Sequence, residues 1–392
     1  MDLRLNPYAP GAGAPPPELA GRDTLIENAS IALDRIRAGR AAKSLILVGL
    51  RGVGKTVLLN RIRNDASTAG HFTIWIEVPE DRSLPGVLAP ALRAGLLKLD
   101  RMACAASSAG KALRALAGFI GAMKVKYGDV EVGLDIDSEA GLADTGDLDA
   151  DLADLLEAAG EAARDRKTAL VLFLDELQYV PEVQYAALIS ALHRCAQRQL
   201  PVTLVGAGLP QLIGLSGRAK SYAERLFEFV PIGALGPDAA KDALVAPARA
   251  LKVDYTEDAL AEIFDHTKGY PYFLQEWGKH AWATADASPI DLADAKQASL
   301  DALDELDASF FRVRLDRLSP AEKRYLRAMA ELGPGPHRSG DIAAMLGRKV
   351  ATVAPVRASL IAKGMIYSPS HGDTAFTVPL FDAFLKRTIP LE

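Results

Sequence analysis

SLILVGLRGVGKT, residues 44 to 56, is the stretch that decides how this chain reads. Ser44 to Val48 is an apolar run short enough for a strand buried on both faces. Gly49 to Thr56, GLRGVGKT, then places glycine, lysine and threonine at the spacing of a phosphate loop. A triphosphate needs backbone N–H donors in a tight concave arc, and Gly49, Gly52 and Gly54 free the dihedrals that build one. Lys55 is placed to reach the β and γ phosphates and to serve catalysis there. Thr56 offers a hydroxyl to Mg²⁺, and the helix starting at Lys55 adds the positive end of its dipole. Arg51, Val53 and Val57 complete the candidate nucleotide contacts of the loop and its first helical turn. A chance Gly-rich turn is the competing reading; the preceding strand and the acidic pair described next argue against it.

That pair ends the apolar run LVLFLDE, Leu170 to Glu176. A carboxylate pair at the C-terminal end of a buried strand stands where open α/β sheets bind ligands. Asp175 is expected to orient Mg²⁺ through water, and Glu176 to act as general base or water-orienting group for attack on the γ-phosphate. Two further buried-strand candidates are Phe72 to Val78 and Pro201 to Gly208. Helical stretches separate the strands, so the spacing predicts an α/β fold with a parallel sheet covered on both faces.

At 392 residues the chain exceeds one ordinary core, and three parts are expected: an N-terminal arm with the α/β nucleotide-binding domain (1–235, with an insertion at about 80–160), a helical domain (236–306) and a C-terminal domain (307–392). Pro7 to Pro17 should lie extended on the surface as an arm. The insertion shows two amphipathic helices, near 83–101 and 105–123, then KVKYGDVEVGLDID, which reads as a hairpin turning at Gly128-Asp129. From Pro237 to Leu306 the pattern is helical, broken at Lys252-Val253, Gly269-Tyr270-Pro271 and Ser288-Pro289. The remainder reads as helices Pro320–Leu332, Ser339–Leu346 and Thr352–Lys363, two short strands about SPSHGDT and a closing helix, which describes a winged helix-turn-helix. In its third helix Thr352 is expected to cap the N-terminus and Pro355 to fall in the first turn, with Val353, Val356 and Leu360 as the buried stripe.

The net charge of −5 gives no whole-molecule attraction to nucleic acid, so any basic surface must be local. Charge is uneven: residues 93–126 carry seven Lys or Arg against Asp100, and residues 129–165 carry thirteen acids against Arg164. The basic helices either contact DNA or pair within the chain, Lys124 and Lys126 with Glu131 and Asp135. Only Cys104 and Cys195 are present, which supports neither a zinc site nor a disulfide framework. No apolar run approaches the roughly 18 residues of a membrane span, and the start lacks signal-peptide regions, so a cytoplasmic protein without membrane partners is expected.

The order of these motifs resembles the AAA+ and STAND group of ATPases, especially bacterial and archaeal relatives of the origin-recognition initiators. The likeness covers nearly the whole chain. It rests on LAGRD (Leu19 to Asp23), similar to that group's motif near the adenine, on the Walker pair described above, on VGAGLP (Val205 to Pro210), on ERLFEF (Glu224 to Phe229), on GYPYFLQ (Gly269 to Gln275), similar to the lid motif, and on the winged helix. The resemblance implies an ATPase with ATP and Mg²⁺ at a base and lid junction, Arg22 near the adenine, and a homo-oligomer with nucleotide at the subunit interface. It also implies that Arg225 is an arginine finger reaching a neighbour's γ-phosphate; Arg218 and Lys220 lie close enough in sequence to do the same work.

The sequence departs from that pattern twice. Gly206-Ala207-Gly208 replaces the polar residue at the end of the fourth strand, and the lid motif has Tyr272 and Phe273 where a sensor arginine stands. Gln178 either supplies part of the missing sensor or is a solvent-exposed loop glutamine. A slow or partner-stimulated switch is expected, whose ATP or ADP state controls self-association and double-stranded DNA binding. Arg348, Lys349, Arg357 and Lys363, with His371 on the wing, are the DNA-contact candidates. Residues 305–392 hold thirteen Lys or Arg and nine acids, a modest basic bias. The alternative is a STAND-like signalling switch whose winged helix holds a protein partner.

Overall fold

The computed structural model describes residues 1–11, 16, 18–101, 108–130, 137–370 and 372–390. Packing divides them into two compact units, residues 22–48 with 55–231, and residues 1–21 with 49–54 and 232–392.

In the first unit the chain runs α1 (Asp23–Arg37), β1 (Ser44–Val48), α2 (Lys55–Thr68), β2 (Phe72–Glu77), α3 (Leu84–Arg101), α4 (Ser108–Tyr127), α5 (Leu148–Asp165), β3 (Leu170–Asp175), α6 (Glu182–Gln197), β4 (Val202–Gly208), α7 (Leu212–Ala219), α8 (Ala223–Leu226) and β5 (Phe227–Pro231). All neighbouring strands are parallel, in the order β2-β3-β4-β1-β5. Every residue of β1, β3 and β4 is buried, as parallel strands between two helical layers must be. The register sets Val48 beside Gly208, and Leu174 beside Gly206, so the C-terminal ends of β1, β3 and β4 share one edge of the sheet. The edge strand β5 was not among the sequence-predicted strands. Of its residues only Phe227 is buried, which leaves too short an apolar signal.

The insertion differs from its sequence reading. Lys124 to Tyr127, expected to begin a hairpin, is the last turn of α4. Phe119 and Met123, at helical spacing, are buried, whereas Val125 is 90% exposed, so the polar and apolar alternation there has no inward face to satisfy. The second half of that hairpin, with the proposed partners Glu131 and Asp135, lies outside the described residues. Part of the charged runs pairs within this unit. Lys111 meets Glu161 at 3.3 Å and Arg114 meets Glu139 at 3.0 Å. Arg194 on α6 and Arg198 at its C-cap meet Asp154, Glu157 and Glu161 on α5. Such half-exposed pairs contribute at most about 1 kcal/mol each. Burial of Leu152, Leu155, Leu156, Leu188 and Leu192 outweighs them, at roughly 1.5–3 kcal/mol per side chain.

The second unit contains α9 (Pro237–Ala250), α10 (Glu257–Thr267), α11 (Pro271–Thr284) and α12 (Leu292–Glu305), interrupted where the sequence had its breakers. A π-helical turn, Leu306–Phe311, then leads into α13 (Arg312–Asp316), so residues 292–316 are helical throughout. After it come α14 (Pro320–Glu331), β6 (His337–Arg338), α15 (Ser339–Met345), α16 (Val350–Ala362), β7 (Ile366–Tyr367), β8 (Asp373–Phe376) and α17 (Phe381–Thr388). Strands β6, β8 and β7 form a small antiparallel sheet, and with α14, α15 and α16 they make the winged helix. Helix α16 begins earlier than its sequence reading: Lys349 is its N-cap and the Thr352 amide already donates to Lys349 O, so Pro355 stands in the second turn. There it removes the bond its N–H would give to the preceding turn.

Two aromatic contacts close this unit around the π turn. Phe310 stacks on Tyr272 with ring centroids 4.8 Å apart, and Phe311 stacks on Phe384 at 5.2 Å. The opening segment is also less peripheral than an extended arm. Tyr8 is 4% exposed, its hydroxyl donates to Leu244 O, and Tyr255 donates to Tyr8 in turn.

Candidate nucleotide site

The site is built from the ends of β1 and β3. In the first unit Lys55 opens α2 and is only 7% exposed. One residue on, the Thr56 hydroxyl donates to Asp175 Oδ2 at 2.6 Å. Asp175 ends β3 and is 2% exposed. Burial pushes its pKa above the ordinary carboxylate value, opposed by the Thr56 bond and by the Glu176 amide, which donates to Asp175 Oδ1 at 2.9 Å. A hydroxyl and a desolvated carboxylate joined this closely are hard oxygen donors of the kind Mg²⁺ takes, so the donor set fits that ion. Glu176 follows in the left-handed region, at φ 55° and ψ 39°. A non-glycine residue there costs of order 1 kcal/mol or more, and such residues concentrate at functional sites.

A 3-10 turn, Leu177–Tyr179, comes next. Its Gln178 Nε2 donates to the Glu176 carboxylate, and its Oε1 accepts from Leu209 N at 3.0 Å. Gln178 is therefore half-buried and bonded on both sides, which decides against a solvent-exposed loop glutamine.

The loop residues Gly49 to Gly54 pack with the second unit. Gly52 and Gly54 have φ of 85° and 87°, the conformations that required glycine. At Gly49 the requirement is space: a Cβ would lie 2.1 Å from Ile232 O. Val53 is 3% exposed and so packs into the protein, while Val57 is half-buried. The lid motif touches the loop backbone, since the Tyr270 hydroxyl donates to Arg51 O and the Tyr272 amide donates to Gly52 O at 3.2 Å. The winged helix touches it too. The Arg51 amide donates to Thr377 O at 3.2 Å, and Gly364 lies so close that a Cβ there would come within 2.6 Å of Arg51 Nη2. Nothing in the residue pattern pointed to Thr377 or Gly364; the only trace was a glycine after α16, which also reads as a helix stop.

With this geometry in view, residues 18–205 match the family described as AAA ATPase domain. The chain carries an AAA ATPase domain. Residues 308–385, spanning the winged helix, match a family described only as a domain of unknown function. No curated protein matches the sequence. A Walker-type ATPase of Pyrococcus abyssi has the same fold, with a TM-score of 0.58, 16% identity, and coverage of 94% of this chain and 96% of that one. Shallower likenesses are to the Thermotoga maritima RuvB Holliday junction branch migration motor (TM-score 0.44, 17% identity, 97% of this chain and 100% of that one) and to the Aeropyrum pernix ORC1 protein in complex with DNA (TM-score 0.45, 16% identity, 95% and 94%). The fold class and the P-loop ATPase assignment expected from the sequence both stand. No helix among the described residues is long and apolar enough to cross a membrane.

The other expected residues separate into two groups. In the first unit Arg22 stands at the N-cap of α1 and is half-buried. Arg225 on α8 is exposed, whereas Arg218 pairs with Glu182 at 3.3 Å and Lys220 with Asp149 at 3.5 Å. On the winged helix, Arg348 and Lys349 are exposed at the turn before α16. Arg357 and Lys363 both have partners within the winged helix. The Arg357 guanidinium donates to Thr374 Oγ1, Ser368 Oγ and Asp373 O, which ties α16 to the wing strands. Lys363 pairs at 2.8 Å with Glu322, whose side chain is 5% exposed. Residue type alone cannot tell a cation that satisfies a buried acceptor from one that faces solvent. His371 lies outside the described residues.

Proposed function

We propose that this chain is an ATP-hydrolysing switch in which nucleotide occupancy of the phosphate loop controls self-association and double-stranded DNA binding through the winged helix. The observation that carries this reading is the contact of Thr377 and Gly364 with Arg51, which places winged-helix backbone on the loop that would hold the phosphates. A ligand that reorders the loop bears directly on that contact, and a differential affinity of this kind is what shifts a two-state equilibrium.

At the site, the N–H groups of Gly49 to Gly54 and the Lys55 ammonium bind and orient the phosphates. Thr56 and Asp175 would hold Mg²⁺, which when bound supplies charge neutralisation at the phosphate oxygens. Glu176 orients the attacking water and takes its proton. Arg225, exposed where its two neighbours are engaged, supports a finger donated to the next subunit in a homo-oligomer. Arg22 is assigned to the adenine end.

Arg348 and Lys349 are the DNA contacts this reading retains. The test is a DNA titration of the full chain with and without ATP at two salt concentrations. Nucleotide-dependent affinity with a steep salt dependence is expected, because phosphate contacts release counterions. Binding that ignores both nucleotide and salt would overturn the DNA reading. One observation favours a second reading, a signalling switch with a protein partner: Arg357 and Lys363 are used inside the winged helix, which leaves a thin basic surface.

A further inference from the structure

Resting on the role given above to Glu176, we propose that Gln178 is the positioning residue for that carboxylate and replaces the polar side chain missing from the end of β4. Four observations converge on it. Gln178 spans the gap between β3 and β4, donating through Nε2 to Glu176 and accepting through Oε1 from Leu209 N at 3.0 Å. A backbone N–H can only donate, so the Leu209 bond fixes which end of the amide faces Glu176. Glu176 itself sits in the left-handed region, which turns its side chain away from the ordinary strand direction and toward this amide.

The glycines of β4 complete the case. A Cβ on Gly208 would come 2.5 Å from Gln178 Oε1 and 2.4 Å from Leu212 Cδ1. One on Gly206 would come 2.3 Å from Leu177 Cδ1 and 3.0 Å from Ile46 Cδ1. Leu177 is fully buried in the core of the unit. The strand end is therefore small because the 3-10 turn carrying Gln178 lies against it. Any side chain at position 208, polar or not, would occupy the place of the Gln178 carbonyl. The absence of a polar residue at the end of β4 and the presence of Gln178 two residues past Glu176 are one arrangement, in which the polar group arrives from the turn after β3.

In this arrangement Gln178 holds one carboxylate oxygen of Glu176 and leaves the other to the attacking water. It also ties the carboxylate to the β4–α7 turn through Leu209, so a shift of that turn moves Glu176. Gln178 touches no reacting atom and acts only through Glu176.

Steady-state turnover and nucleotide affinity of the full chain decide the matter, measured for Gln178→Leu, Gln178→Glu, Glu176→Gln and the Glu176→Gln/Gln178→Leu pair. Gln178→Leu removes both bonds at similar volume. It should lower kcat about 10- to 100-fold, the range for a misplaced catalytic group, with nucleotide Kd changed less than about twofold. Gln178→Glu keeps the acceptor for Leu209 N but sets a like charge beside Glu176, and should lose turnover while binding nucleotide and keeping its thermal midpoint. The double variant should turn over no more slowly than Glu176→Gln alone. An unchanged kcat in Gln178→Leu, or an equal further loss in the Glu176→Gln background, overturns the proposal while leaving Glu176 in its role. A Glu176→Gln protein with wild-type turnover, or a wild-type chain with none, sinks both.

Discussion

Replacing Lys363 with alanine should cost the winged helix stability and leave its DNA affinity nearly unchanged. The Lys363 ammonium lies 2.8 Å from Glu322 Oε2, and the Glu322 side chain is 5% exposed against 40% for Lys363. Glu322 also accepts from Ser319 N at 2.7 Å, closing the capping box of α14, and from Ser359 Oγ at 2.7 Å. Burial alone would raise its pKa; Lys363 and these donors prevail and hold it at about 2. Removing one partner of a fully buried pair costs about 3–5 kcal/mol. Lys363 is partly solvated and two donors to Glu322 remain, so about 1–2 kcal/mol is expected here. The folded value lies below the ordinary one, so the pair's contribution is present above about pH 4.5 and is lost as pH falls toward 2. Denaturant unfolding of the full chain measures this, with Trp277 and Trp282 reporting on the second unit. A Glu322→Gln cycle with Lys363→Ala should give a coupling of about 1 kcal/mol at neutral pH. An unchanged midpoint, with the slope of log K against log salt for DNA falling by about one, would show that Lys363 serves DNA and that the internal pair is incidental.

Lys55→Ala should abolish nucleotide binding in equilibrium titration, while Glu176→Gln should keep binding and lose hydrolysis; retained turnover removes Glu176 from its role. If Arg225 acts in the next subunit, mixing Arg225→Ala with Lys55→Ala protein should partly restore turnover, and no recovery at any ratio counts against that geometry. Arg348→Ala/Lys349→Ala should reduce the DNA salt slope by about two without lowering the thermal midpoint, and an unaltered slope would favour the protein-partner reading. Burial pushes Glu276 on α11 up to about 7, beside Lys279, His280 and Glu305. Its folded value exceeds the ordinary one, so stability should fall as pH rises through 7, by roughly 1–3 kcal/mol. Glu276→Gln should flatten that dependence, and parallel pH profiles for variant and wild type would refute it.

The residues that the sequence could place are those whose environment is written in their neighbours. Ser44 to Val48 is uniformly apolar because both faces of β1 are covered, and its boundaries matched to the residue. Thr56 and Asp175 are 119 positions apart, yet Asp175 ends one apolar strand and Thr56 lies just past another, and their bond needed only the topology. Legibility ended where a residue's partner is set by tertiary packing. Arg357 and Lys363 have the composition of a DNA-reading helix, but the acceptors they satisfy belong to other elements. Val125 alternates with lysines as in a strand while projecting from a helix. Gly206 and Gly208 read as a lost functional group when they are clearances for the turn after β3.

The π turn at Leu306–Phe311 sets the angular phase between the lid helices and the winged helix. Along α12 and α13 each residue advances the chain by about 100°. Because a π turn holds one residue more than an α turn, rewinding it as regular helix with Ser309 deleted would keep the phase, whereas rewinding it with every residue kept would rotate everything beyond it by about that angle. Phe310 and Phe311 would then present their rings away from Tyr272 and Phe384. The turn thus works as a keyed coupling, holding the two parts in a single orientation.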